Sequence, residues 1–114
     1  MPHFIMDCSE SVLKYHEETF IIEQIHLVAK ATGLFNERDI KARMNPFKTY
    51  TVGNNNEDFI HVFAHIMQGR TTEQKAKLSQ QVVSKLVSLF PDIPNIAMSI
   101  SDFEKATYCN RTML

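Results

Sequence analysis

Pro2 is the residue in this chain with the most unusual chemistry available to it, because it follows directly on Met1. Within a chain, the proline nitrogen is an amide that neither binds nor releases a proton at useful pH. Removal of Met1 turns it into a secondary amine. α-Amino groups titrate near ~8, and burial beside other cations lowers that value towards the range a general base needs. Three cations could serve such a base: Lys41 and Arg43, which share one face of a strand, and Arg70, which sits just before a helix start. An amine removing a proton from carbon next to a carbonyl, with fixed cations holding carboxylates and the dienolate charge, is the chemistry this set could do. Arg70 and the free N–H groups of the helix start are placed to grip one carboxylate between them.

Other chemistries find less support. His61 and His65 form a His-x-x-x-His spacing, which on a helix would aim two ligands at one metal. On a strand, four residues at ~3.3 Å each separate the pair by roughly 13 Å, too far to share an ion. They read instead as packed or interface histidines. No Gly-x-Ser-x-Gly elbow accompanies Asp7 and the histidines, so a hydrolase is disfavoured. Gly33, Gly53 and Gly69 are the only glycines and lie far apart, which leaves no phosphate-cradling loop and no expectation of a nucleotide. Cys8 and Cys109 are separated too widely to suggest a zinc module or disulfide scaffold and read as free thiols. With 12 Lys and Arg against 13 Asp and Glu, spread along the chain, nothing points to nucleic acid or an anionic membrane. The apolar run Phe59 to Met67 is too short to span a bilayer, and the start lacks a signal-peptide pattern. The expectation is a soluble, cytoplasmic protein.

The elements that would position these residues follow a repeating rhythm. Residues 1–114 make one domain. Pro2 to Cys8 alternates as a strand, with Phe4, Met6 and Cys8 on one side. Ser9-Glu10-Ser11 offers caps for a long amphipathic helix carrying Leu13, Ile21, Ile25, Val28 and Ala31, which stops at Gly33. Ile40 to Val52 is expected to be a strand that Pro46 confines to an edge or bulge. The turn signal Gly53-Asn54-Asn55-Asn56 suggests a hairpin from it into a strand over Phe59 to Met67. Thr71 and Gln74 have capping-box spacing, ahead of a helix whose buried stripe is Leu78, Val82, Leu86 and Leu89 and which Pro91 and Pro94 end. Ile96, Met98 and Ile100 alternate in a last strand, and Phe103 to Leu114 is a tail. The whole is an α+β fold of tandem β-α-β units, a four-stranded sheet with two helices on one face and parallel outer strand pairs. Neither side of the Phe59 strand looks solvated, so other subunits are expected to cover the bare face as a homo-oligomer.

The opening Met1-Pro2-His3-Phe4-Ile5, the stretch Ala31-Thr32-Gly33-Leu34-Phe35, the helix entry Gly69-Arg70 and Ala97-Met98-Ser99 together resemble the tautomerase superfamily, and within it the 5-carboxymethyl-2-hydroxymuconate Δ-isomerases. The resemblance covers nearly the whole chain. It implies a homotrimer, no cofactor, and interconversion of a dienol dicarboxylate with its conjugated keto isomer during bacterial homoprotocatechuate breakdown. It also implies that Pro2 is the base, that Arg70 binds substrate, and that Arg43 is a further basic position beside Lys41. Position 41 departs from the pattern, being lysine where the family resembled has an active-site arginine, and a point charge replaces a planar fork. Tyr108 and Phe103 in the tail are candidate pocket aromatics. Two readings compete with the isomerase: a hydratase or dehalogenase of the same superfamily that uses the protonated amine as an acid, and a non-catalytic binding oligomer.

Overall fold

A computed structural model describes all of residues 1–114. The regular elements are strand β1 (His3–Ser9), helix α1 (Glu18–Ala31), strands β2 (Lys41–Phe47) and β3 (Phe59–Met67), helix α2 (Thr72–Leu89) and strand β4 (Asn95–Phe103). The sheet order is β2-β1-β3-β4. β2 runs parallel to β1 and β4 parallel to β3, whereas β1 and β3 are antiparallel. The outer pairs are therefore parallel, as the tandem rhythm predicts.

Alternation along the central strands decides which face the helices cover. Phe4, Met6 and Cys8 of β1 and Ile60, Val62, Ala64 and Ile66 of β3 are all at most 2% exposed. Against them pack Ile21, Ile25 and Ala29 of α1 and Leu78, Val82 and Leu86 of α2, one residue per helical turn on each helix. Phe90 and Ile93 close the core after α2, where Pro91 lacks the N–H that another turn would need. The other face carries His3, Ile5, Lys41, Arg43, His61, Phe63 and His65 without any covering layer, and Phe63 is 37% exposed.

Three local expectations are corrected. The first helix does not begin at Ser9. β1 runs through Ser9, a 3₁₀ turn over Glu10–Lys14 tucks Val12 into the core, and α1 starts only at Glu18. The reason is that Ser9 and Ser11, the proposed caps, give their hydroxyls to the Asp58 carboxylate instead. Leu13 consequently lies outside the helix, and Ala29 rather than Ala31 completes the buried stripe.

β2 and β3 also form no hairpin. β2 ends at Phe47 and pairs with β1, which lies between it and β3. The turn signal is real but local: Gly53 and Asn54 both have positive φ (55° and 63°) and close Val52 on Asn55 through paired backbone bonds of 2.8 and 2.9 Å. With β2 on one side and β3 on the other, β1 has both of its backbone edges hydrogen-bonded, which a β2–β3 hairpin would not provide. Pro46 then sits on an edge strand, as expected. The capping box of α2 forms as predicted, Gln74 N–H donating to Thr71 Oγ1 at 3.1 Å and Thr71 N–H to Gln74 Oε1 at 2.9 Å.

Burial has a chemical consequence at Cys8, whose thiol is pushed up to about 12 by burial first and by Asp7 and Glu18 second, while Cys109 is exposed. Iodoacetamide at pH 8 is expected to modify Cys109 alone in the folded protein and both thiols after denaturation, as read by intact mass. Phe4→Ala, which empties the centre of the sheet face, is expected to cost about 3–5 kcal/mol in denaturant unfolding.

Candidate functional site

Pro2 is buried at the head of β1. Its carbonyl accepts the Lys41 N–H at 3.1 Å, which docks the start of the chain onto β2. Because β1 and β3 are antiparallel, the C-terminal end of β3 lies at the same end of the sheet, with His3 opposite His65. Gly69, at φ +125°, turns the chain out of β3 towards α2, a backbone conformation that side chains other than glycine's seldom tolerate. Arg70 follows and returns towards Pro2. Met1, Pro2, Phe35, Asn36, Asp39, Met67 and Arg70 enclose a cavity of about 90 Å³ there.

Arg70 is held firmly. Its Nη1 donates to the Met67 carbonyl at 3.2 Å and its Nη2 to the Leu34 carbonyl at 2.7 Å, and the guanidinium lies 5.0 Å from the centre of the Phe35 ring. Two of its five N–H donors are thereby used, and three remain. At the helix start beside it, the capping box uses the Thr71 and Gln74 N–H groups, so any N–H sharing a carboxylate with Arg70 is that of Thr72 or Glu73. Arg70 is thus a clamp between the α1–β2 connection and the end of β3 as well as a cation at the cavity.

Lys41 and Arg43 lie apart from that cavity lining. Both are exposed and project from the open face of β2, opposite His3 and Ile5 respectively. Lys41 Nζ donates to the Asp39 carbonyl at 2.9 Å, so its charge stays close to the chain start. Arg43 Nη1 lies 3.1 Å from His3 Nδ1. Arginine can only donate, so His3 Nδ1 is the acceptor and carries no proton. Of the tail aromatics, Tyr108 sets its hydroxyl against the Met1 sulfur and stacks on Phe103, the ring centres 5.5 Å apart.

Asp39, which is not among the residues singled out from the sequence, also reaches the chain start. Its backbone carbonyl accepts from the Met1 amine at 3.4 Å, and its carboxylate Oδ2 is 3.7 Å from the same nitrogen. A 3₁₀ turn over Glu37–Asp39, started by the Asn36 side chain accepting from Arg38 N–H, presents it. An asparagine cap three residues before an aspartate, with a strand starting two residues after it, was the available signal. The Met1 amine is lowered from its ordinary value, foremost by burial; Asp39 opposes this and Lys41 and Arg70 reinforce it.

His61 and His65 are not brought together on one ligand. His61 Nε2 lies 2.9 Å from Ser99 Oγ and its ring packs on Phe63, while His65 faces His3 across the strand pair. A wider groove of about 620 Å³ between α1 and α2 is an open surface lined by side chains such as Gln80, Gln81 and Lys85, with none of the convergent charge found near Pro2.

A family model described as 5-carboxymethyl-2-hydroxymuconate isomerase matches residues 2–110, almost the entire chain from Pro2 onward. The chain belongs to the 5-carboxymethyl-2-hydroxymuconate isomerase family. Membership places it among the isomerases. A 5-carboxymethyl-2-hydroxymuconate Δ-isomerase of Escherichia coli is 22% identical over 106 residues, covering 91% of this chain and 84% of that protein. The fold is shared with solved structures of low sequence identity. A crystal structure of a 5-carboxymethyl-2-hydroxymuconate isomerase from Deinococcus radiodurans superposes with a TM-score of 0.84 at 18% identity, over 96% of this chain and 88% of that one. The native fused 4-OT does so with a TM-score of 0.77 at 12% identity, over 96% and 92% of the two chains.

In this family member, the contact between His3 and Arg43 makes a direct expectation. The His3 imidazole titrates below the ordinary histidine value, chiefly through burial and then through Arg43 and Lys41. A lowered value means that the folded state resists protonation. The His3–Arg43 bond is therefore complete at neutral pH and is lost as pH falls through the depressed value. Arg43→Gln is expected to raise the His3 midpoint, measured by NMR of the imidazole protons, whereas an unchanged midpoint would show that the contact is absent in solution.

Proposed function

We propose that this chain is a cofactor-independent isomerase acting on 5-carboxymethyl-2-hydroxymuconate or a similar dienol dicarboxylate, with the Pro2 amine as general base after Met1 is removed. The observation that carries this reading is the burial of Pro2 beside Arg70 at one rim of the sheet, in a chain of this isomerase family. The neutral amine takes the hydroxyl proton of the dienol, or a proton from the carbon between the carbonyl and the double bond of its unconjugated keto tautomer. Either loss leaves the same dienolate, over which the negative charge spreads, and the proton is delivered to the distal carbon of the conjugated system. Composition is unchanged, so no oxidant, reductant or second substrate enters.

The electrostatics support a base in preference to an acid. At the Met1 amine, burial together with Lys41 and Arg70 outweighs Asp39 and lowers the value, and the same surroundings would enlarge the neutral fraction of a Pro2 amine. A superfamily hydratase or dehalogenase would need the opposite balance, an amine kept protonated. Arg70 retains donors for one substrate carboxylate, and Lys41 and Arg43 on the open face are assigned to the other carboxylate and the developing charge.

The cavity supports the requirement for processing. Small-molecule sites commonly occupy about 300–1,000 Å³, and the Pro2 cavity holds only about 90 Å³ while Met1 forms part of its wall. Removing Met1 exposes the secondary amine and widens the entrance in one step. The uncovered sheet face, with Ile5, Phe59, Phe63 and Met67 among its residues, is assigned to contacts within a homotrimer, and the compartment to the cytoplasm. The proposed pathway is homoprotocatechuate breakdown.

Ultraviolet-monitored ketonisation of a 2-hydroxymuconate-type dienol tests the reading. Protein lacking Met1 is expected to turn over, and both the Met1-retaining form and Pro2→Ala are expected to lose about 100-fold or more in kcat. Equal rates for the forms with and without Met1 would remove Pro2 from the mechanism.

A further inference from the structure

Burial, Lys41 and Arg70 all favour the neutral form of the Met1 amine, which precedes Pro2 at the head of β1. A general base works best when it titrates near the working pH, so a group that opposes this lowering helps set where the amine titrates. One group in the cavity acts the other way. Asp39 lies on the same wall as Pro2, its carboxylate 3.7 Å and its carbonyl 3.4 Å from the present amine nitrogen.

This carboxylate is positioned rather than incidental. Asn36 caps the 3₁₀ turn that carries it, Asp39 N–H donates to the Asn36 carbonyl at 2.9 Å, and Lys41 Nζ grips the Asp39 carbonyl at 2.9 Å. Two residues further on, the strand carrying Lys41 is hydrogen-bonded to the Pro2 carbonyl at 3.1 Å. The turn and the chain start are thus parts of one hydrogen-bonded corner. Its side chain is 39% exposed, which leaves the interaction screened but not abolished.

We infer that Asp39 is the counter-ion of the catalytic amine, a positioning residue whose carboxylate holds the Pro2 ammonium formed when the substrate proton is taken up. This rests on the isomerase reading above. After Met1 is cleaved, the amine moves one residue inward, to a nitrogen in the same cavity. The charged side chains that share this cavity with Pro2 are Asp39 and Arg70, and Lys41, His3 and Tyr108 stand around it, Lys41 Nζ on the Asp39 carbonyl, His3 next in the chain and the Tyr108 hydroxyl against Met1. Asp39 is the single anion in that set. It raises the proton affinity of the amine against the cations, and the ammonium–carboxylate pair keeps the proton beside the site until it is delivered to carbon.

The test uses protein lacking Met1 with ¹⁵N-labelled proline, comparing wild type with Asp39→Asn, which keeps shape and removes charge, and Asp39→Glu, which keeps charge. The expected result is that the Pro2 nitrogen titrates about half a unit or more lower in Asp39→Asn, with recovery in Asp39→Glu. The difference is expected to shrink as salt rises. The acid limb of kcat/KM for dienol ketonisation should move down by the same amount. An Asp39→Asn midpoint within about a tenth of a unit of wild type overturns the inference, as does an equal shift in Asp39→Glu. The nitrogen titration needs no turnover. A wild type that fails to ketonise the dienol while its amine still responds to Asp39→Asn removes the isomerase reading and with it the catalytic role given to Asp39. A wild type that turns over with an unresponsive amine removes the Asp39 role alone.

Discussion

The pairing of β1 with β2 on one edge and β3 on the other is the constraint on which the rest of the molecule depends. It gives the strand two satisfied edges and buries Phe4, Met6 and Cys8 completely under both helices. The same pairing sets Pro2 at the rim of the sheet rather than on a free arm, because the Lys41 N–H to Pro2 carbonyl bond continues the β1–β2 ladder one step beyond the strand. Residues at a chain start are usually frayed. Here Pro2 is buried against a packed sheet.

The antiparallel crossing of β1 and β3 makes the two β-α-β units meet head to tail, and each end of the pair acquires its own clamp. At one end Arg70 ties the Leu34 and Met67 carbonyls together and lies over Phe35. At the other, the Asp58 carboxylate accepts from Ser9 at 3.2 Å, from Ser11, and from Tyr50 at 3.5 Å. The two ends are chemically opposite. A guanidinium with donors to spare leaves a site open to an anion, whereas the Asp58 end is filled by the chain's own hydroxyls. One fold repeated twice thus carries one candidate site, set by which charged residue stands at each turn.

Charges near Pro2 act through competition rather than through any single contact. Burial lowers the terminal amine, two cations lower it further, and Asp39 pulls it back. Lysine at position 41 belongs to this balance. Its flexible ammonium reaches back to the Asp39 carbonyl at 2.9 Å.

Strand and helix identities were legible in the sequence because their signals are local. Alternation in Phe4-Ile5-Met6-Asp7-Cys8, the Thr71–Gln74 capping box and the spacing of Leu78, Val82 and Leu86 each depend only on near neighbours along the chain, and Pro2, Arg70, Lys41 and Arg43 stand out by residue type. What tertiary structure decided was everything involving partners distant in sequence. It chose β1 over a hairpin as the neighbour of β2, and it drew Ser9 and Ser11 away from capping towards Asp58, 49 and 47 residues on. It also separated Arg43, on the open face against His3, from the cavity that joins Pro2 to Arg70, and brought Asp39 to the chain start, 38 residues away. Hydrogen-bonding capacity is written in the residue, but which of several competing partners it meets is set by the register of strands that pair only once the sheet is assembled.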